Sequence, residues 1–251
     1  MRVIRATLAY DGTDFVGWQV QASGRSVQGA LQEGLERMHG HPVRVAGAGR
    51  TDSGVHATGQ VASFLSDLAS IPGPRFRDAM NAYLPHDVRV VESAEAPPGF
   101  HARWSATLRV YRYFTVAAPV LLPHLRRHRH WVRRGLDLDR LRAMAGVIAG
   151  EHDFTSFTAE GAASGSRVRT VTESRFDTDG DTVVYTIAAG SFLWKMVRNI
   201  VGTALWIEEN GGSAAEIAAV LDAHSRPAAG PTAPALGLFL EKVLYDEALG
   251  S

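Results

Sequence analysis

The sequence predicts an α+β protein made of two successive β-α-β-β-α-β halves. Three observations carry that reading. Strand-like and helix-like hydrophobic periods follow one another in the same order twice, and a Pro-Pro-Gly break separates the two rounds. The 45% hydrophobic content over 251 residues is enough for two cores of about 100 residues each.

The elements follow in order. Val3 to Tyr10 is apolar or β-prone and runs into the turn former Asp11-Gly12, which makes it the first strand. Ser26 is an N-cap for a helix whose apolar stripe is Val27, Leu31, Leu35 and Met38. Val43 to Ala48 and Ala57 to Leu65 are strands joined by the turn-rich Gly49-Arg50-Thr51-Asp52-Ser53-Gly54. Pro74 opens a second helix with Phe76, Met80 and Tyr83 on its buried face; Pro85 stops it, and Val88 to Val91 is the next strand. Ala96-Pro97-Pro98-Gly99 is the linker, which sets the expected domains at 1–98 and 99–251.

The second round has a strand at Thr107 to Val116, a helix at Leu136 to Ala149, and strands at Val168 to Phe176 and Thr182 to Ala188. Leu193, Met196, Val197, Ile200, Val201 and Ala204 then form the stripe of a long helix, with Lys195, Arg198 and Asn199 on its other side. Leu236 to Leu244 is the last strand. This order is that of two ferredoxin-like halves, each with helices packed on an antiparallel sheet. The expected active site is a cleft between them.

Composition narrows the chemistry. The chain has no cysteine, so disulfides, thiolate metal ligands and thiol nucleophiles are excluded. The opening residues lack the apolar run of a signal peptide, and no stretch of about 18 apolar residues follows, so a soluble cytoplasmic protein is expected. Basic and acidic residues balance at 26 each, yet Arg126-Arg127-His128-Arg129-His130 with Arg133-Arg134 is a dense cationic cluster suited to phosphate. His124, His128 and His130 have a spacing that suits a metal, but arginines surround them and no carboxylate lies among them. A basic arm is the better reading, and no metal is expected.

The densest motif is Gly49-Arg50-Thr51-Asp52-Ser53-Gly54-Val55-His56. Asp and Gly there suit a plain turn, but Arg50 stands two residues before Asp52, where it either keeps the carboxylate ionised or holds a phosphate. At this octapeptide the chain resembles the tRNA pseudouridine synthase A family. Further matches follow in order: Tyr10-Asp11-Gly12 with Phe15, Gly17-Trp18-Gln19 and Val27-Gln28; Asn81 with Leu84-Pro85; His101-Ala102-Arg103-Trp104-Ser105-Ala106; Tyr111-Arg112-Tyr113. Gly150-Glu151-His152-Asp153-Phe154, then Met196-Val197-Arg198-Asn199-Ile200-Val201-Gly202, then Gly237-Leu238 complete them. Lys195 stands where the family pattern often has histidine.

The resemblance implies roles residue by residue. Asp52 is the catalytic aspartate, Arg50 its partner, Tyr111 the active-site tyrosine, and Leu238 the apolar residue against the target base. Arg198 falls in a matched motif and joins Arg126, Arg127 and Arg129 as expected RNA-binding residues. The resemblance further implies a homodimer acting on uridines 38, 39 and 40 of the tRNA anticodon arm, with no cofactor. Isomerisation at that arm requires a flipped base, an ionised carboxylate and an apolar wall, which these residue types supply. Gly150 to Phe154 reads instead as a helix end, with glycine as cap and His152 bonding terminal carbonyls.

Two rivals are weaker. A tandem RNA-recognition motif shares the element order but needs an aromatic RNP string that does not occur here. A carboxylate-dependent N-glycoside hydrolase would release free uracil, whereas an isomerase leaves the chain mass unchanged.

Overall fold

A computed structural model describes residues 1–159, 161 and 165–246. In chain order its elements are β1 (Arg2–Tyr10), α1 (Val27–His39), β2 (Ala46–Gly47), β3 (His56–Ser66), α2 (Phe76–Asn81) and β4 (Val88–Ala96). β5 (Ala106–Ala117), β6 (His130–Val132), α3 (Leu138–Ile148), β7 (Gly150–Asp153), β8 (Val168–Asp179) and β9 (Thr182–Ala189) follow. The chain then gives α4 (Met196–Glu209), α5 (Ala214–Asp222) and β10 (Leu238–Tyr245). This is a mixed fold of helices and largely antiparallel strands, as the sequence predicts. The chain divides into two compact units, Met1–Arg109 with Phe239–Ser251, and Val110–Leu238. The expected boundary after residue 98 does not coincide with that division, because the chain passes from one unit to the other within β5 and its last strand returns to the first unit. Residues 247–251 of the expected second half lie outside the described residues.

In the first unit β1 is central, antiparallel to β3 on one side and β4 on the other, and β10 joins β3 in parallel through Phe239 and Leu240. The alternation of β1 buries Ile4, Ala6, Leu8 and Tyr10. Ser26 caps α1 as expected, its Oγ accepting from Gly29 N at 3.1 Å, and Val27, Leu31 and Leu35 are buried. Phe76 and Met80 anchor α2, but the helix stops before Tyr83, which lies 44% exposed rather than on the buried face. Of the strand expected at Val43 to Ala48, only Ala46–Gly47 pairs with β3; Val43 and Val45 are buried without joining a ladder. Asn81 takes the place of a strand residue, donating to Val90 O and accepting from Val90 N, both at 2.8 Å.

In the second unit β9 lies between β5 and β8, and β7 extends the sheet beyond β8 in antiparallel register. The short β6 runs parallel to β5. Gly150 follows the end of α3 with φ +109°, and His152 Nε2 lies 3.0 Å from Ala149 O, so the helix-end reading of this segment holds while its residues also form β7. The long helix differs from expectation. Asn199 is fully buried, not on a solvated face, and α4 is buried on nearly every side from Met196 to Glu208. The cause is the loop at 225–233, which lies on α4: Gly230 N donates to Thr203 Oγ1 at 3.0 Å and Ala233 N to Arg198 O at 3.0 Å.

Candidate active site

The loop carrying Arg50 and Asp52 joins β2 to β3 and is tied down from several directions within the first unit. Gln60, fully buried on β3, donates from Nε2 to Gly49 O at 2.8 Å. Arg109 donates to Ala48 O from both Nε and Nη2, at 3.1 and 2.9 Å. Tyr10 Oη shares a 2.9 Å hydrogen bond with Thr51 Oγ1, and Trp18 N donates to Thr51 O at 3.0 Å. Ser53 Oγ donates to Phe15 O at 3.1 Å. Burial pushes the Tyr10 phenol up to about 12, so it holds its proton, and its hydrogen bond, across the physiological range.

Asp52 itself occupies a tight turn. Val55 N donates to Asp52 O at 3.1 Å, with Gly54 at φ +77° supplying the positive torsion. Asp52 also bridges to Gly17, whose φ of +117° excludes an ordinary side chain and whose absent Cβ would lie 2.7 Å from Thr51 O. After the turn, His56 is fully buried; its Nδ1 accepts from Gly12 N at 3.0 Å, and its ring stacks on Phe239 at 4.6 Å. The effect is a half-buried carboxylate on a backbone with little freedom to move. Arg50 is exposed and makes no hydrogen bond or ion pair among the described residues, so the pairing with Asp52 is not seen.

Motif residues that the sequence offered only as a signature thus acquire jobs. Tyr10, Gly12, Phe15, Gly17 and Trp18 support the Asp52 loop. Gln60 and Arg109 were not among the expected site residues. Arg109 carries a signal in hindsight: the two-residue period of β5 places a charged side chain on its buried face with Tyr111 and Tyr113.

The other expected site residues belong to the second unit. Tyr111 is 7% exposed and meets Phe192 edge to face at 5.0 Å. Leu238, 6% exposed, opens β10 after a 3-10 turn at Ala235–Gly237. Arg198 donates from Nε to Ala233 O at 2.8 Å, which fixes its guanidinium beside the segment leading to Leu238. Within the basic cluster Arg126 and Arg127 are exposed, whereas Arg129 is half-buried with its guanidinium 4.1 Å from the Phe114 ring centroid. Burial lowers the Arg129 pKa from the usual arginine value. Arg133 stacks on Trp131, and Arg134 pairs with Glu208.

Comparison with known proteins gives this arrangement its context. A family model described as tRNA pseudouridine synthase matches residues 6–105 and 144–246. The chain is 41% identical to the tRNA pseudouridine synthase A of Treponema denticola over 98% of this chain and 94% of that protein. It is 43% identical to the protein of the same name in Halalkalibacterium halodurans, covering 95% of this chain and 90% of the other. For that of Geobacillus kaustophilus the identity is 42%, over 97% and 95%. On matches that span both units and nearly the whole of each relative, the chain belongs to the tRNA pseudouridine synthase family, isomerases that act on uridine in tRNA.

Proposed function

We propose that this enzyme converts uridine to pseudouridine at positions 38, 39 and 40 of the tRNA anticodon arm, with Asp52 as its catalytic carboxylate. The observation that carries the reading is the immobilised Asp52 turn, braced by Gly17, Tyr10 and Trp18. The reaction breaks the N1–C1′ glycosidic bond, turns the uracil, and joins C5 to C1′; C5 loses a proton and N1 gains one, so nothing is added to the chain. Two routes fit a carboxylate: covalent attack on ring or sugar, or removal of a ribose proton. Both need it ionised and held in place.

Arg50, exposed and without a hydrogen-bond or ion-pair partner among the described residues, is assigned to a phosphate of the flipped nucleotide rather than to Asp52. Tyr111 and Leu238, both largely buried, supply the apolar wall for the detached base. The enzyme works in the cytoplasm as a homodimer of ferredoxin-like halves, using neither metal nor cofactor; light scattering checks the dimer.

The test is Asp52→Asn. Product formation, read as tritium release from C5-labelled uridine in an anticodon-arm transcript, should vanish. Binding of tRNA should weaken by less than about tenfold, which is under about 1.4 kcal/mol. Turnover near the wild-type rate at excess enzyme removes Asp52 from the chemistry.

A further inference from the structure

The turn from His101 to Ser105, part of a matched motif but given no role in the catalytic reading, holds an indole out to solvent. Trp104 is 72% exposed, whereas Phe100 and Ala102 beside it are buried. An indole in that position adds nothing to the core, yet its place is closely defined.

The turn is closed on itself and pinned to the first unit. Ser105 N donates to His101 O at 2.9 Å and His101 N to Ser105 Oγ at 3.1 Å, while His101 Nδ1 accepts from Arg103 N at 3.1 Å and Trp104 N at 3.3 Å. Ala102 N donates to Ser63 Oγ on β3 at 3.0 Å, and Tyr245 Oη on β10 donates to Ala102 O at 2.8 Å. The guanidinium of Arg109 completes the set, because its Nη2 donates to Arg103 O at 2.8 Å and to Ala48 O at 2.9 Å. One nitrogen thus fastens the Trp104 turn to the chain that leads into the Asp52 loop. The side chains are ordered as well: Arg103 Cζ lies 4.6 Å from the Trp104 ring centroid, and the His101 ring lies 5.8 Å away at 32°. These two neighbours set the angle of the indole and leave most of it open, since a ring covered on both faces could not keep 72% exposure.

A flat ring with a guanidinium beside it, both exposed and already arranged, is complementary to a nucleotide, which offers a base to stack and a phosphate to pair. A free anion would engage the guanidinium alone, and an apolar partner would have to strip water from it. Position favours RNA among partners of mixed chemistry, because Arg109 holds this turn against the loop that the tRNA must reach to react. We propose that Arg103 and Trp104 bind an unpaired nucleotide of the tRNA substrate, its base on Trp104 and its phosphate on Arg103. The proposal rests on the reading of the Asp52 loop as the place the tRNA reaches, and not on what Asp52 does in the chemistry.

Filter binding of a tRNA transcript across a salt series tests it, using wild type, Arg103→Gln, Trp104→Ala and Trp104→Phe. Loss of one phosphate contact in Arg103→Gln should make the slope of log affinity against log salt shallower by about 0.7 to 0.9. Trp104→Ala should weaken binding about 5- to 150-fold at fixed salt while keeping the slope, because stacking releases no counterions, and Trp104→Phe should recover most of that loss. Circular dichroism verifies the fold; should Trp104→Ala unfold, the Arg103→Gln slope decides alone. Trp104→Ala binding as wild type does, or an Arg103→Gln line parallel to wild type, overturns the proposal. Weaker RNA binding that comes with a changed mass in light scattering also overturns it, and gives the pair to a contact between copies of the chain. Neither arm uses product formation, so failure of the Asp52 reading appears in tritium release and failure of this one in the binding lines.

Discussion

Arg50 and Asp52 are two residues apart, and the protein braces the backbone around Asp52 while leaving the Arg50 side chain exposed, without a partner among the described residues. A side chain that stabilises nothing in the fold can be changed cheaply, usually within about 0.5 kcal/mol. Arg50→Lys should therefore melt with the wild type yet turn over at least about tenfold more slowly, because lysine keeps the charge and loses the two-pronged grip on phosphate. Unchanged kinetics would reduce Arg50 to diffuse charge. Tyr10 is the opposite case: it is buried, and Tyr10→Phe strands the Thr51 hydroxyl at a cost of about 1 to 3 kcal/mol. Its phenol also carries a pH dependence. The pKa is raised from 10.0 to about 12, so its contribution is complete below pH 10 and is lost as pH rises from 10 to 12. Chemical denaturation at pH 9 and pH 12 should show the wild type losing more stability than Tyr10→Phe over that interval, and equal losses would count against it.

Among the elements, two glycines separate strain at the site from strain elsewhere. Gly17 has φ +117° with Thr51 O where a Cβ would go, while Gly40, the αL cap of α1 at φ +75°, has open space around that position. Gly40→Ala should cost roughly 1 kcal/mol and leave turnover alone. Gly17→Ala should cost more, about 1 to 3 kcal/mol, and lower kcat by displacing the Asp52 backbone that it bridges. Equal kcat in the two variants, measured at temperatures where both are folded, would refute that coupling. Legibility in the sequence follows the same local logic. β1, α1, β8 and β9 announce themselves through period and capping, and α5 carries a legible signal too, the capping box of Ser213 and Glu216, though the sequence expectation omits it. β6 and β7 are too short to show a period. The burial of Asn199 was illegible because it depends on a loop some thirty residues later in the chain, through Thr232. The Asp52 turn was readable from its own residues; its supports at Gln60 and Arg109 were not, since a distant hydrogen bond leaves no mark on local pattern.

For the molecule as a whole, charge is distributed so that attraction to RNA must be local. Lysine and arginine balance the acids at 26 each, so no net field draws a polyanion in. The basic cluster is the obvious local source, yet the fold divides its members. Arg129 lies over Phe114, Arg133 over Trp131, and Arg134 against Glu208 and Glu209, which gives each an internal role. Arg126 and Arg127 remain exposed. If these two reach phosphates, replacing both with Gln should make the salt slope of tRNA binding shallower by up to about 1.4 to 1.8, at 0.7 to 0.9 per contact. Arg129→Gln should instead lower the melting temperature, because it removes a partly buried cation from an aromatic face, a contact worth about 0.5 to 2 kcal/mol. An ordinary solvated arm makes the contrary forecast for the double variant, since a surface charge run that never meets the RNA cannot release its counterions. Filter binding between low and moderate salt distinguishes the two, and parallel lines for wild type and the Arg126→Gln, Arg127→Gln protein would take this segment off the RNA-binding surface.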